Sequence, residues 1–130
     1  MILSTPRLDL RELTDADLPA LRTTLHDPVA MTAYEGAFDD AESLAWLRRM
    51  QQRYADDGFG LWAVVLRETG AMIGQCGITR QFIDRDEVFE VGYLFARAHW
   101  HRGYAVEAAA ACRDWAFDTL PIDDLYAKVR

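Results

Sequence analysis

The stretch HWHRGYAVEAAAA, His99–Ala111, sets a glycine and a cation directly before a run of strong helix formers. A helix start exposes about four backbone N–H groups without intrahelical partners and carries roughly half a positive charge, so it can hold an anion with no special side chain. Gly103 permits positive φ or a close backbone approach, and Arg102 adds charge, so the turn describes a cradle for phosphate. Small residues at Ala105, Ala109, Cys112 and Ala116 predict a ridge along one helical face, which would let the helix lie close to its support and fix the cradle in place. A glycine turn before a helix also serves purely as a connection, and the motif alone leaves both readings open.

Other chemistries find less support. His99 and His101 have no third ligand at plausible spacing nearby, so no metal is expected. The only serines are Ser4 and Ser43, and neither sits in a Gly-x-Ser-x-Gly elbow. The turn lacks the Gly-Lys-Ser/Thr ending of a P-loop, and GxGxxG is absent. Cys76 and Cys112 stand in apolar contexts without metal-ligand spacing, which predicts reduced, packed thiols. A formal net charge of −7 opposes nucleic acid and anionic membranes and favours a cationic acceptor such as an amine.

These residues must be positioned by a single domain, since 130 residues suffice for one core and 51% of them are hydrophobic. No apolar run approaches the roughly 20 residues of a membrane span and no signal-peptide h-region opens the chain, so a cytoplasmic location is expected. Alternation from Arg7 to Leu13 predicts a first strand, and Leu18, Leu21 and Leu25 then share a helical face that Pro28 closes. Thr14 or Asp17 caps that helix; Pro19 places its start near Asp17. Asp39 and Glu42 form a capping-box pair before a second helix whose Leu44, Leu47, Met50 and Tyr54 share a face, and Asp56–Gly58 stops it. Leu61–Leu66 and Ala71–Ile78 read as antiparallel strands, and Asp84–Glu87 makes the next turn. Val88–Ala96 reads as a fourth strand, in which Gly92 predicts a bulge or a close backbone approach. A helix to about Leu120 follows, and Leu125, Ala127 and Val129 alternate as a fifth strand, parallel to the fourth. The order β-α-α-β-β-β-α-β makes a mixed α/β sheet, in which a cleft beyond the ends of the parallel pair is the usual ligand site.

The segments STPRLDLRELTDADLPAL, FEVGYLF and WHRGYAVEAAAACRDWAF, in that order and spacing, resemble the GCN5-related N-acetyltransferase (GNAT) superfamily, and within it the branch of ribosomal-protein N-terminal acetyltransferases. The resemblance covers nearly the whole chain. Its most specific element is the turn, where the family places Gln/Arg-x-x-Gly-x-Gly/Ala around the pyrophosphate of acetyl-CoA; Trp100, Gly103 and Ala105 stand at those positions here. Tryptophan is usual in this branch, whereas His101 stands where the branch often has glycine. The resemblance implies an acyl-CoA N-acyltransferase fold and acetyl-CoA as co-substrate. It implies that His101, Arg102, Gly103, Tyr104 and Ala105 contact the pyrophosphate, and that Leu94 and Phe95 pair with the pantetheine arm through their backbones, as an added strand would. It further implies a primary amine, on a protein N-terminus or a small molecule, that attacks the thioester directly.

Aliphatic ammonium groups titrate near pH 10, so such an amine needs a base. Glu90, on the fourth strand just before a Gly-Tyr pair, is the candidate; the alternative is a surface carboxylate or an arginine's structural partner. Glu35, Asp39 and Asp40 are weaker candidates for acceptor recognition against roles as loop and cap acids, and Glu107 is expected to point away from the phosphates. Family members usually continue past the fifth strand with a further helix and hairpin, commonly supplying a tyrosine acid. Their absence after Arg130 leads us to expect an exposed strand edge that associates with a second copy, with Tyr104 or Tyr126 standing in for the acid. A non-catalytic acyl-CoA-binding or interaction module, or an inactive fragment of an acetyltransferase, is the alternative to an enzyme.

Overall fold

The computed structural model describes residues 1–127, so Val129 and Arg130 of the expected last strand lie outside the described residues. Among the described residues, six strands form one sheet in sequence order: β1 (Leu3–Ser4), β2 (Leu8–Arg11), β3 (Leu61–Leu66), β4 (Met72–Ile83), β5 (Asp86–Phe95) and β6 (Tyr126–Ala127). All neighbours are antiparallel except β5 and β6, which run parallel as expected. Helices α1 (Leu18–Leu25) and α2 (Asp40–Asp57) cover one face, and α3 (Tyr104–Thr119) covers the other.

Patterning decides this division. On β2 the buried Leu8 and Leu10 join Trp62, Val64, Ile73, Cys76 and Ile78 under α3. The opposite register positions, Leu61, Ala63 and Leu94, pack with Leu21, Leu25, Leu47 and Met50 beneath α1 and α2. The α3 seam runs through Ala108, Cys112 and Ala116, all fully buried at i, i+4 spacing; Ala105 and Ala109 flank it rather than forming it. Cys76 and Cys112 are free, buried thiols that meet across this interface, and the Cys112 contact together with burial pushes the Cys76 thiol upward.

The structure departs from the periodicity at several points. A two-residue strand at Leu3–Ser4 folds back on β2, too short to leave a pattern. Both hairpin strands are longer than expected, and the turn shrinks to Asp84 and Arg85, each with positive φ, the geometry of a type I′ turn. Leu44 is exposed, and Trp46 is buried on α2 instead. Gly92 carries no bulge: the β4–β5 register is unbroken through it, and an added Cβ there would meet only Leu61 in ordinary contact. The register shift lies between Val64 and Val65 of β3. Close backbone approach belongs to Gly77, where a Cβ would collide with the Gly60 carbonyl.

Candidate active site

A cleft of about 920 Å³ opens between the C-terminal half of β5, the start of α3 and the segment following α1. All the residues expected at a cofactor site line it except Arg102: Leu94, Phe95, His101, Gly103, Tyr104 and Ala105 stand together, with Glu90 further along β5. Arg102 is exposed and absent from the lining.

The cradle arises from an uncapped helix. Gly103 occupies the N-cap of α3 at φ 79° and offers no side chain, and the first intrahelical bond runs from Glu107 N–H to its carbonyl at 3.1 Å. The N–H groups of Tyr104, Ala105 and Val106 therefore lack intrahelical acceptors, and these residues face the cleft. By contrast, α2 is closed by the capping box its sequence suggested: Asp39 accepts from Glu42 N–H at 2.8 Å and Glu42 accepts from Asp39 N–H at 3.0 Å. His101, the departure from glycine, adopts φ 64°, the left-handed conformation glycine takes at little cost.

A clamp that the sequence did not reveal holds this turn. Arg7 donates to Glu107 through Nε at 2.7 Å and through its backbone N–H at 3.0 Å, and to the Arg102 carbonyl through Nη1 at 2.9 Å. Its guanidinium lies 4.4 Å from the Tyr104 ring centroid, and Thr5 also donates to Glu107. Burial alone would raise the Glu107 pKa, but the bonds from Thr5 and Arg7, with the charge of Arg7, hold the carboxyl below its ordinary range. Glu107 is thus turned away from the cleft, as expected on charge grounds. Nothing local to RLDL signals a contact about a hundred residues ahead. Trp100 closes the other side, its indole N–H donating to the Phe95 carbonyl at 2.8 Å.

Strand parity decides which backbone groups reach the cleft. Ala96 N–H donates to the Ile73 carbonyl at 3.0 Å, and the unbroken register makes Leu94, Gly92 and Glu90 the residues that exchange hydrogen bonds with β4. Leu94 therefore spends its backbone on Gln75, contrary to the added-strand expectation for that residue. Tyr93 and Phe95 turn theirs to the opposite edge, where β6 pairs only as far as Val91 among the described residues. Among the described residues, the Tyr93 groups and the Phe95 N–H are the ones on this edge without a strand partner.

Glu90 is 7% exposed and points to the α1–α2 face, beside Thr79 in register. It is not the surface carboxylate of the alternative reading, and it lies within electrostatic reach of Arg53 on α2. It lines both the cleft and a smaller cavity of about 190 Å³ under α2; Tyr34, Gly92 and Tyr93 also line both. Of the weaker candidates, Asp39 is the α2 cap and Asp40 pairs with Arg22 at 3.3 Å and His26 at 3.4 Å. Glu35 ends a short helical turn at φ 65°, and none of the three lines either cavity. Tyr126 is half-exposed opposite Glu90 across the β5–β6 pair. His99 and His101 line the cleft, and among the described residues no three His, Cys, Asp or Glu side chains are grouped to hold a metal.

An uncapped helix start beside a parallel strand pair suits an acyl-CoA, and residues 7–130 match the acetyltransferase (GNAT) domain family. The chain belongs to the GNAT acetyltransferase family. It is 42% identical over 117 residues to the uncharacterized protein YkkB of Bacillus subtilis (strain 168), covering 89% of this chain and 68% of that protein. Among solved structures, an acetyltransferase from Agrobacterium tumefaciens str. C58 superposes with a TM-score of 0.81 at 38% identity, over 95% of this chain and 70% of that one. A spermidine N-acetyltransferase from Vibrio cholerae, solved with CoA and spermine, shares the fold at a TM-score of 0.74 and 20% identity, over 95% and 71% of the two chains. As a GNAT-type N-acetyltransferase, the chain has acetyl transfer as its general chemistry.

Proposed function

We propose that this GNAT chain moves the acetyl group of acetyl-CoA to a primary amine by direct attack, with Glu90 as the base. The observation that carries the reading is the continuity of one cleft from the unpaired N–H groups at the start of α3, along the free edge at Tyr93 and Phe95, to the buried carboxylate of Glu90. Backbone N–H groups at residues 103–106 suit a pyrophosphate, and the β5 edge suits an extended arm bearing amides. The Vibrio neighbour with bound CoA supports the same choice of ligand. When bound, acetyl-CoA supplies an activated acetyl thioester.

Glu90, directly or through one water, takes a proton from the ammonium form of the acceptor. The freed amine forms the new N–C bond as the C–S bond breaks, and the departing thiolate takes up a proton from water. Tyr104 stacks with Arg7 at the phosphate end of the cleft, which argues for a part in the cradle rather than as an acid. The test couples two readings: a thermal shift with acetyl-CoA, and thiol release with a panel of primary amines. Stabilisation by acetyl-CoA with amine-dependent thiol release is expected. Stabilisation without release from any amine favours the non-catalytic binding module, and neither response contradicts both.

A further inference from the structure

The smaller cavity under α2 has an electrostatic character opposite to that of the whole chain. It holds about 190 Å³, roughly six water volumes, between Trp46 and Met50 of α2 and the β4–β5 surface, and its floor at Glu90 is shared with the main cleft. Two guanidiniums, Arg49 and Arg53, line it one helical turn apart, whereas Glu90 is the single carboxylate among its described lining residues. Arg53 donates from Nη1 to the Arg80 carbonyl at 3.2 Å, but its Nε is buried with no hydrogen-bond partner. A buried guanidinium donor without an acceptor costs stability and calls for one. The Arg49 side chain makes no hydrogen bond or ion pair among the described residues, while its neighbour Arg48 is tied to Asp15 at 2.6 Å.

A polyamine or other polycation would meet the guanidiniums of Arg49 and Arg53 here, the second of which already lies within reach of the carboxylates of Asp57 and Glu90. A carboxylate would instead accept from both forks, satisfy the orphaned Nε and leave an adjacent amine facing Glu90. We propose that this cavity is an anion subsite, and that the acceptor is a small primary amine carrying a carboxylate, of the amino-acid class, held by Arg49 and Arg53. The assignment rests on the acetyltransferase reading for the amine's fate, but its anion recognition can be measured separately. It also reverses the acceptor charge expected from the overall −7, because screening confines recognition to nearby groups.

The experiment measures binding to the full chain, with and without CoA, by calorimetry. The probes are N-acetylvaline, its carboxamide, the decarboxylated analogue N-isobutylacetamide, and N-acetylspermidine. N-acetylvaline is expected to bind at least about tenfold more tightly than the neutral probes. Arg49→Gln, at an exposed position, and Arg53→Lys, which keeps the charge but loses the fork, should each shrink that preference several-fold while leaving CoA affinity unchanged. Equal affinities, a preference for N-acetylspermidine, failure of every probe to bind, or a preference intact in both variants would overturn the assignment. Preference for N-acetylvaline in a chain that does not bind CoA would support the subsite and contradict the acetyltransferase reading instead.

Discussion

Glu90 sits where two cavities meet, buried on a strand whose neighbouring positions carry the core, and a carboxylate in such a place must do more than solvate a surface. Replacing it with glutamine keeps size and removes the base. Glu90→Gln should lower kcat by about 10²-fold or more, the usual weight of a positioned general base, with acetyl-CoA affinity unchanged in a binding titration. A variant as active as the parent would remove Glu90 from the chemistry. His101 tests the cradle's backbone in a different way. Its left-handed φ costs a side chain on the order of 1 kcal/mol, most for a β-branched one. His101→Gly should therefore be neutral or stabilising by up to about 1 kcal/mol in urea titration, and His101→Val destabilising by about 1 kcal/mol or more. The reverse order would contradict the backbone assigned to this turn. At this scale the sequence was informative about types and poor about partners: Glu90, Gly103 and Ala105 were legible as candidates, but Leu94's commitment to β4 depends on strand parity that no residue type reveals.

The start of α3 works as an element because a second element holds it. Arg7, just before β2, clamps Glu107, the Arg102 carbonyl and the Tyr104 ring, so the uncapped turn is tied down from outside the cleft while its N–H groups stay open inside it. The Glu107 carboxyl titrates below its ordinary value of 4.5 in the folded chain. Its contribution to stability is therefore complete above the range where free carboxyls titrate, and is lost as pH falls through the lowered folded value. Between neutral pH and about pH 3, the Tm of the parent should fall further than that of Glu107→Gln, measured by circular dichroism. Equal losses would mean that the clamp adds no pH-dependent stability. The capping box of α2 and the hairpin between β4 and β5 were legible because their signals are local. Arg7 was not, since a salt bridge across a hundred residues exists only once the sheet and α3 have packed. The exchange of Leu44 for Trp46 has a similar cause: α2 faces both the sheet and an aromatic group of Tyr34 and Phe38, so its buried stripe follows the cover available.

Across the molecule, the sheet is continuous on one side of β5, while on the other, among the described residues, β6 pairs at Glu90 and Val91 and none pairs at Tyr93 or Phe95, which line the cleft. Composition spoke to class and core, and the mixed sheet with its parallel pair was legible in the order of elements. Net charge does not locate charge: the cavity under α2 gathers two arginines within a chain of net charge −7. In the proposed function, the start of α3 and the edge of β5 at Tyr93 and Phe95 together hold acetyl-CoA. Amide hydrogen exchange with and without acetyl-CoA tests it most directly. Slowed exchange is expected in peptides covering residues 93–106, with the N–H groups of Tyr93, Phe95 and Tyr104–Val106 protected and α2 little changed. Binding of acetyl-CoA without protection there, or with protection centred elsewhere, would contradict it.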